Sequence, residues 1–163
     1  FATYLNDGQS FVGSKEVKLT AVKSLLDVCG LKIATSPGTT FQKLLESSKD
    51  ECAAAGKKPY SVQYFADNAP IYLGLQNGKV DVYFGPTLSL KVLVQKILGT
   101  RYLGQITRTP VGFVTAKGSP LAPALSAAVN DLIADGTYAK LFAKWNVADS
   151  VIAKSQINPT PTF

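Results

Sequence analysis

Four short runs rich in apolar residues mark the middle of the sequence: Leu31 to Thr35, Ser61 to Phe65, Val80 to Phe84 and Tyr102 to Ile106. Their length and β-branched or aromatic content predict strands. Between them the apolar residues fall at helical spacing. A stretch from Thr39 to about Glu51 sets Phe41, Leu44, Leu45 and Ser48 on one side. A second runs from Asn68 to Asn77 and stops at Gly78, a residue suited to ending a helix, and a third follows Pro86 and carries Leu90, Leu93, Val94 and Ile97. Strands alternating with helices that each bury one stripe predict an α/β layer with a largely parallel sheet flanked by helices.

The ends follow another pattern. Phe1 to Gly13 is mostly extended, with a turn expected at Asn6, Asp7 and Gly8, and Val111 to Ala116 forms a further short strand. After Gly118, Ser119 and Pro120 the spacing of Leu121, Leu125, Val129, Leu132 and Ile133 is helical; Gly136 interrupts it, and Tyr138, Leu141, Phe142 and Trp145 make a second stripe. The α/β middle can close its own core, so these stripes point to a second body that the chain ends help to complete. No internal repeat is present, and the Pro-rich tail Asn158 to Phe163 is the one compositionally biased segment.

Composition narrows the class. With 46% hydrophobic and 17% charged residues in 163, the chain can bury a core and is expected to be globular. Its longest uncharged apolar stretches, such as Val111 to Val114 and Leu121 to Leu125, fall far short of the roughly 20 residues of a membrane span. The net charge of +6 comes from scattered lysines, with Lys57 and Lys58 the one adjacent pair, so a concentrated footprint for nucleic acid is absent and none is expected as a partner. The chain opens on Phe1 and holds no Met, as expected where the natural N-terminus has been removed by processing, proteolysis or design.

Cys29 and Cys52 flank a strand and a returning helix. Five strand residues advance about 17 Å and about 13 helical residues retrace about 20 Å, which brings the two cysteines together. A bridge there would contribute about 3 kcal/mol on the chain-entropy model and would require an oxidising compartment. Two buried free thiols remain the alternative.

Two segments could carry binding chemistry. Ser36, Pro37, Gly38, Thr39 and Thr40 lie between a strand and a helix, where free backbone N–H groups and hydroxyls can cradle a carboxylate or other anion. Ordinary N-capping by Ser36 or Thr39 accounts for the same residues. The second, Asn77 to Thr87, ends a strand at Phe84 and Gly85 and delivers a loop to the carboxyl edge of the sheet, where open α/β sheets bind ligands. Asp81 in it is expected to tie down a neighbouring turn. Catalysis has a poor inventory: no His, no carboxylates at acid and base spacing, no metal-ligand spacing and no Walker loop. No catalytic residue, metal or cofactor is expected.

Taken in order, four segments resemble the family 3 extracellular solute-binding proteins of ABC transporters. Leu25 to Ala34 followed by Pro37, Gly38, Thr39 and Thr40 resembles the opening of that family's second lobe. Leu75 to Asp81, Val111 to Ser119, and Asp135 to Leu141 with Lys144 and Trp145 resemble its Asn-Gly segment, its returning hinge strand and its C-terminal signature. The resemblance covers residues 1 to 147. It implies a periplasmic-binding-protein-like type II lobe, with crossover strands and C-terminal helices of an incomplete first lobe: 1–14 a crossover strand, 15–107 the second lobe, and 108–163 the return strand and first-lobe helices. The crossover strands would lie near Gln9 to Val12 and Arg108 to Gly112 and act as a hinge.

Function follows as an expectation from the same resemblance: a non-enzymatic receptor holding a small polar solute in an interlobe cleft and presenting it to an ABC permease. It would work outside the cytoplasm, anchored through a removed N-terminal segment. Thr40, with Thr39, Gly38 and nearby backbone, would hold the ligand's carboxylate, with Ser36 at the same rim. Where amino-acid binders place an Asp for the α-ammonium, this chain has Gly85, Pro86 and Thr87. That departure puts an α-amino-acid ligand in doubt or shifts the ammonium to Asp67 or to lobe one. The face left by the missing lobe would be covered by that lobe or by a second chain. An enzyme of the cyclohexadienyl dehydratase type, or a ligand-sensing domain of a larger receptor, are the alternatives.

Overall fold

A computed structural model describes residues 1–160; the last three residues of the Pro-rich tail lie outside the described residues. The chain divides into two compact units, Gly8–Thr107 and a second made of Phe1–Asp7 with Arg108–Phe163. Two long strands, β1 (Ala2–Gly13) and β5 (Arg101–Phe113), run from one unit into the other.

In the Gly8–Thr107 unit lie β2 (Lys32–Thr35), β3 (Ser61–Tyr64) and β4 (Val82–Pro86). The sheet order is β3-β2-β4-β1-β5. β2 pairs in parallel with both β3 and β4, whereas β1 lies antiparallel to β4, with Gln9 opposite Pro86 and Phe11 opposite Phe84. The sheet is therefore mixed where the strand–helix alternation predicts a largely parallel one. Parallel neighbours need a crossover helix, and β1 precedes the first of these, so it can join antiparallel. Helices α1 (Thr40–Ser47), α2 (Glu51–Ala54), α3 (Asn68–Gln76) and α4 (Thr87–Lys96) make the crossovers. The single helix expected up to Glu51 is broken in two after Ser48, whose N–H closes α1 on the Leu44 carbonyl.

Alternation along the strands sends side chains to two faces. Phe11, Ile33, Val82 and Phe84 enter one buried cluster with Val28, Leu45 and Cys52; Val12, Ala34 and Tyr83 enter the other with Ile71, Leu75 and Leu90. The Phe84 ring is fully buried, stacked on Phe11 with centroids 4.3 Å apart and met edge-on by Phe41 at 5.3 Å. Cys29 and Cys52 form a disulfide, with Cα atoms 5.7 Å apart, tying the 3-10 turn Leu25–Val28 to α2.

Three strand expectations change. No turn interrupts β1 at Gly8; the glycine serves a close approach, since a Cβ there would lie 2.0 Å from the Thr107 carbonyl oxygen and 2.3 Å from Gln105 Nε2. The strands expected at Tyr102 to Ile106 and Val111 to Ala116 are one, β5, which stops at Phe113. Pro110 is tolerated inside it because β5 is the edge strand and needs no ladder donor on its outer side. The run expected as a strand from Val80 begins at Val82, because Asp81 is occupied with Lys32: Lys32 N–H donates to Asp81 Oδ2 at 2.7 Å, and Asp81 N–H to the Lys32 carbonyl at 2.9 Å.

The second unit holds α5 (Leu121–Ala134) and α6 (Thr137–Lys144), separated by Gly136 in the left-handed conformation, φ +80°. Polar anchors fasten it. The Tyr138 hydroxyl donates to the Tyr4 carbonyl at 2.9 Å and accepts the Ile152 N–H at 3.0 Å. Ser155 Oγ donates to the Thr3 carbonyl, its N–H to Asn130 Oδ1, and the Gln156 N–H to Thr3 Oγ1. Of the predicted stripes, Val129 and Tyr138 are buried, while Leu121, Leu132, Leu141 and Trp145 are exposed, the indole at 71%. No helix among the described residues is long and apolar enough to cross a membrane.

Candidate functional site

The parallel strands β2, β3 and β4 all end at one edge of the Gly8–Thr107 unit, so the loops that follow them share that edge. β2 hands over to α1 through Ser36, Pro37 and Gly38, with Gly38 at φ +71°, a conformation that favours glycine. Thr39 caps α1: its hydroxyl donates to the Ser36 carbonyl at 2.7 Å and accepts the Gln42 N–H at 3.3 Å. Gln42 reaches back, its Oε1 accepting the Gly38 N–H at 2.7 Å. Its Nε2 donates to Glu46 Oε1 at 2.7 Å, which also accepts the Tyr64 hydroxyl at 3.1 Å. The Tyr64 hydroxyl is held above its ordinary pKa by burial first and by Glu46 second.

Thr40, the first residue of α1, is exposed. Its Oγ1 accepts a hydrogen bond from Gln9 Nε2 at 3.5 Å. Gln9 stands on β1 and is fixed from the other side by Thr107: the Gln9 N–H donates to Thr107 Oγ1 at 3.1 Å, and the Thr107 hydroxyl donates to Gln9 Oε1 at 3.3 Å. Sequence reasoning places Gln9 only in a crossover strand. Nothing local marks it, because its link to Thr40 arises from the pairing of β1 with β4, residues far apart in the chain.

The other residues singled out in the sequence stand at the same edge with different surroundings. Gly85 is buried on β4 opposite Ser10, with the Tyr83 ring 3.0 Å from where its Cβ would be. Pro86 is half-buried opposite Gln9. Thr87 is 1% exposed, and its hydroxyl pairs with Ser10 Oγ, which also meets the Tyr102 hydroxyl at 2.8 Å. That buried triplet locks β1 and β5 to the head of α4, so the Thr87 hydroxyl is occupied within the fold. Asp67 precedes α3 and is exposed, its carboxylate capping none of the helix amides. Nearby, Tyr83 donates to Asn68 Oδ1 at 3.2 Å, and burial, with a smaller contribution from Tyr72, pushes its phenol up to about 12.

The edge thus presents hydroxyls and amides, namely Ser36, Thr39, Thr40, Gln9 and Thr107, with Asp67 as an exposed acid. Such a set can orient a small polar molecule by directed hydrogen bonds. It holds neither an imidazole nor a thiol, and no metal-binding cluster occurs among the described residues.

No family model matches the chain. It is 27% identical over 149 residues to the "Arginine-binding periplasmic protein" of Mannheimia haemolytica, covering 87% of this chain and 56% of that protein. It is 29% identical over 153 residues to the "Putative ABC transporter arginine-binding protein 2" of Escherichia coli, with coverages of 87% and 56%. The chain spans little more than half the length of these relatives. Its fold superposes on the second substrate-binding domain of a putative amino acid ABC transporter from Streptococcus pneumoniae with a TM-score of 0.65, at 20% identity, covering 88% of this chain and 62% of that one. The chain has the periplasmic-binding-protein type II fold, and in sequence and structure it is similar to solute-binding proteins of amino-acid ABC transporters.

Proposed function

We propose that the chain is part of a solute-binding component of an ABC importer, which captures a small polar solute, an amino acid or related compound, and delivers it to a permease. The observation that carries this reading is the Thr39–Thr40 turn at the head of α1, set at the carboxyl edge of parallel strands with hydroxyl and amide donors around it. Relatives named for arginine binding support an amino acid as the solute. In this reading 15–107 is the second lobe, 1–14 a crossover strand, and 108–163 the return strand with helices of the first lobe. Thr40 serves the carboxylate with Ser36 at the same rim, while Gly38 and Thr39 shape the turn, the Gly38 N–H being taken by Gln42 and the Thr39 proton by the Ser36 carbonyl. Of Gly85, Pro86 and Thr87 only Pro86 is partly exposed at this edge, the other two lying buried behind it, and none supplies a charge, so the ammonium falls to Asp67 or to groups outside this chain.

A receptor fits better than an enzyme, because the relatives are named as binding proteins. The disulfide supports a location outside the cytoplasm, where such bridges persist; anchorage through a preceding segment is part of the same reading. The test is a thermal-shift screen of amino acids and other small polar solutes, L-arginine first, on the full-length protein with this 163-residue chain in parallel. A raised melting temperature with an amino acid and no consumption of it supports the receptor. Turnover of a solute, or no shift with any solute of the screen, overturns it.

A further inference from the structure

The hydrogen bonds around Thr40 have a direction, and the direction selects what can bind there. At the head of α1 the Gly38 N–H is taken by Gln42 Oε1 and the Gln42 N–H by Thr39 Oγ1. The Thr39 proton is spent on the Ser36 carbonyl. Thr40 is different: its oxygen receives the Gln9 amide, and its own proton is committed to none of these groups.

Gln9 could present either end of its amide to Thr40, and Thr107 decides which. Thr107 Oγ1 accepts the Gln9 backbone N–H, and its proton goes to Gln9 Oε1. With its oxygen engaged at Thr107, Gln9 turns Nε2 toward Thr40. A hydroxyl has one proton and two lone pairs, so with the Gln9 amide on one lone pair its proton points away from Gln9 and stays available to donate. We propose that Gln9 is a positioning residue: clamped by Thr107, it donates to Thr40 Oγ1 and so turns the Thr40 proton away from itself, toward an acceptor oxygen of the ligand, a carboxylate above all. The proposal rests on the functional reading given above, to which it adds the polarity of the recognition turn and the residues that set it.

Gln9→Glu tests this, because it keeps the shape while offering only acceptors. The new carboxylate would draw the Thr40 proton inward and repel an anionic ligand. Gln9→Met removes the polar group without reversing it, and Thr107→Val removes the clamp. Binding is read by amide chemical shifts of residues 38 to 41 in this chain, with L-arginine, its decarboxylated analogue agmatine, and acetate as probes. For L-arginine and acetate, Gln9→Glu should weaken binding about 10-fold to 100-fold and Gln9→Met roughly 3-fold to 10-fold, as expected for hydrogen bonds to a charged group and their loss. Thr107→Val should add little on top of Gln9→Met, since the two act through one hydroxyl, and agmatine should leave these amides unmoved. Equal affinity in wild type and Gln9→Glu overturns the proposal, as does a ligand-free nuclear Overhauser pattern placing the Gln9 amide protons against Thr107 instead of Thr40. Should acetate move Thr40 in a Gln9-dependent way while no amino acid does, the transport reading falls and the positioning role stands. No response to acetate or to L-arginine removes the positioning role.

Discussion

The two units of this chain are held together by different chemistry. In Gly8–Thr107 both faces of the sheet are sealed by apolar clusters, and all residues of those clusters come from that unit. In the unit formed by Phe1–Asp7 and Arg108–Thr160, a few buried apolar residues, Ala2, Leu5, Ala122 and Val129, are joined by polar anchors. Tyr138, Ser155, Asn130 and Thr3 knit the helices and the tail to the first strand, and Leu121, Leu132 and Leu141 on α5 and α6 face outward, as does Trp145 just beyond. Burying a large apolar side chain contributes about 1.5 to 3 kcal/mol, against about 1 kcal/mol net for a neutral hydrogen bond. The first unit should therefore respond most to lost volume, and the second to lost hydroxyls.

The largest effect is expected at Phe84, where Phe84→Ala removes a ring stacked between Phe11 and Phe41. The loss should be about 3 to 5 kcal/mol, read by chemical denaturation, with hydrogen exchange rising first in β2 and β4. A cost below about 0.5 kcal/mol, within what a surface substitution gives, would mean that the sheet core does not carry this unit. Next comes the disulfide. Replacing both Cys29 and Cys52 by Ser should cost about 3 kcal/mol by releasing the loop they close. Retained stability would show that the packed clusters around Val28 and Leu45 hold that loop without the bridge.

Much of the first unit is legible in the sequence because its signals are local. The strand runs of β2 and β3, bounded by turn residues, and the helix stopped ahead of Gly78 appear within a residue of where sequence spacing predicts them. What stays hidden depends on partners distant in sequence. Gly8 has the composition of a turn, yet it serves the approach of β5, which no local pattern announces. Gln9 is equally silent, for its meaning comes from Thr107 and Thr40, 98 and 31 residues away. The Ser36–Thr40 turn shows itself as a strand–glycine–cap–helix string; the occupation of Gly38 by Gln42, and of Thr87 by Ser10, does not. For α5 and α6, helical periodicity gives the elements but not which apolar residues find cover, and Leu121 and Trp145 do not.

A hydroxyl deletion probes the second unit. Tyr138→Phe keeps the ring, which packs 4.3 Å from Phe142, but leaves the Tyr4 carbonyl and the Ile152 N–H without the group that joins them. The expected cost is about 1 to 3 kcal/mol, with faster exchange at Ile152 and unchanged exchange in β2 and β4. Burial is the largest influence on this phenol and raises its pKa. Its neutral form is therefore favoured in the fold, and its contribution to stability is complete below the ordinary tyrosine value and is lost as pH rises through the raised one. Tyr138→Phe should flatten the alkaline limb of the stability curve. An unaltered limb would place the unit's order in its apolar contacts and remove the contrast drawn with the sheet unit.

The smallest effect is expected at Trp145, and it guards against a wrong inference from its size. An indole can contribute more burial than any other side chain, but this one is 71% exposed at the end of α6. Exposed surface exchanged for exposed surface changes little, so Trp145→Lys should shift stability by no more than about 0.5 kcal/mol, at any protein concentration. A larger loss that grows with protein concentration would mean that a second copy covers Trp145, because only a group buried in an assembly makes stability depend on association. The second unit would then draw further apolar cover from another chain, and its polar anchors would fix geometry more than supply stability.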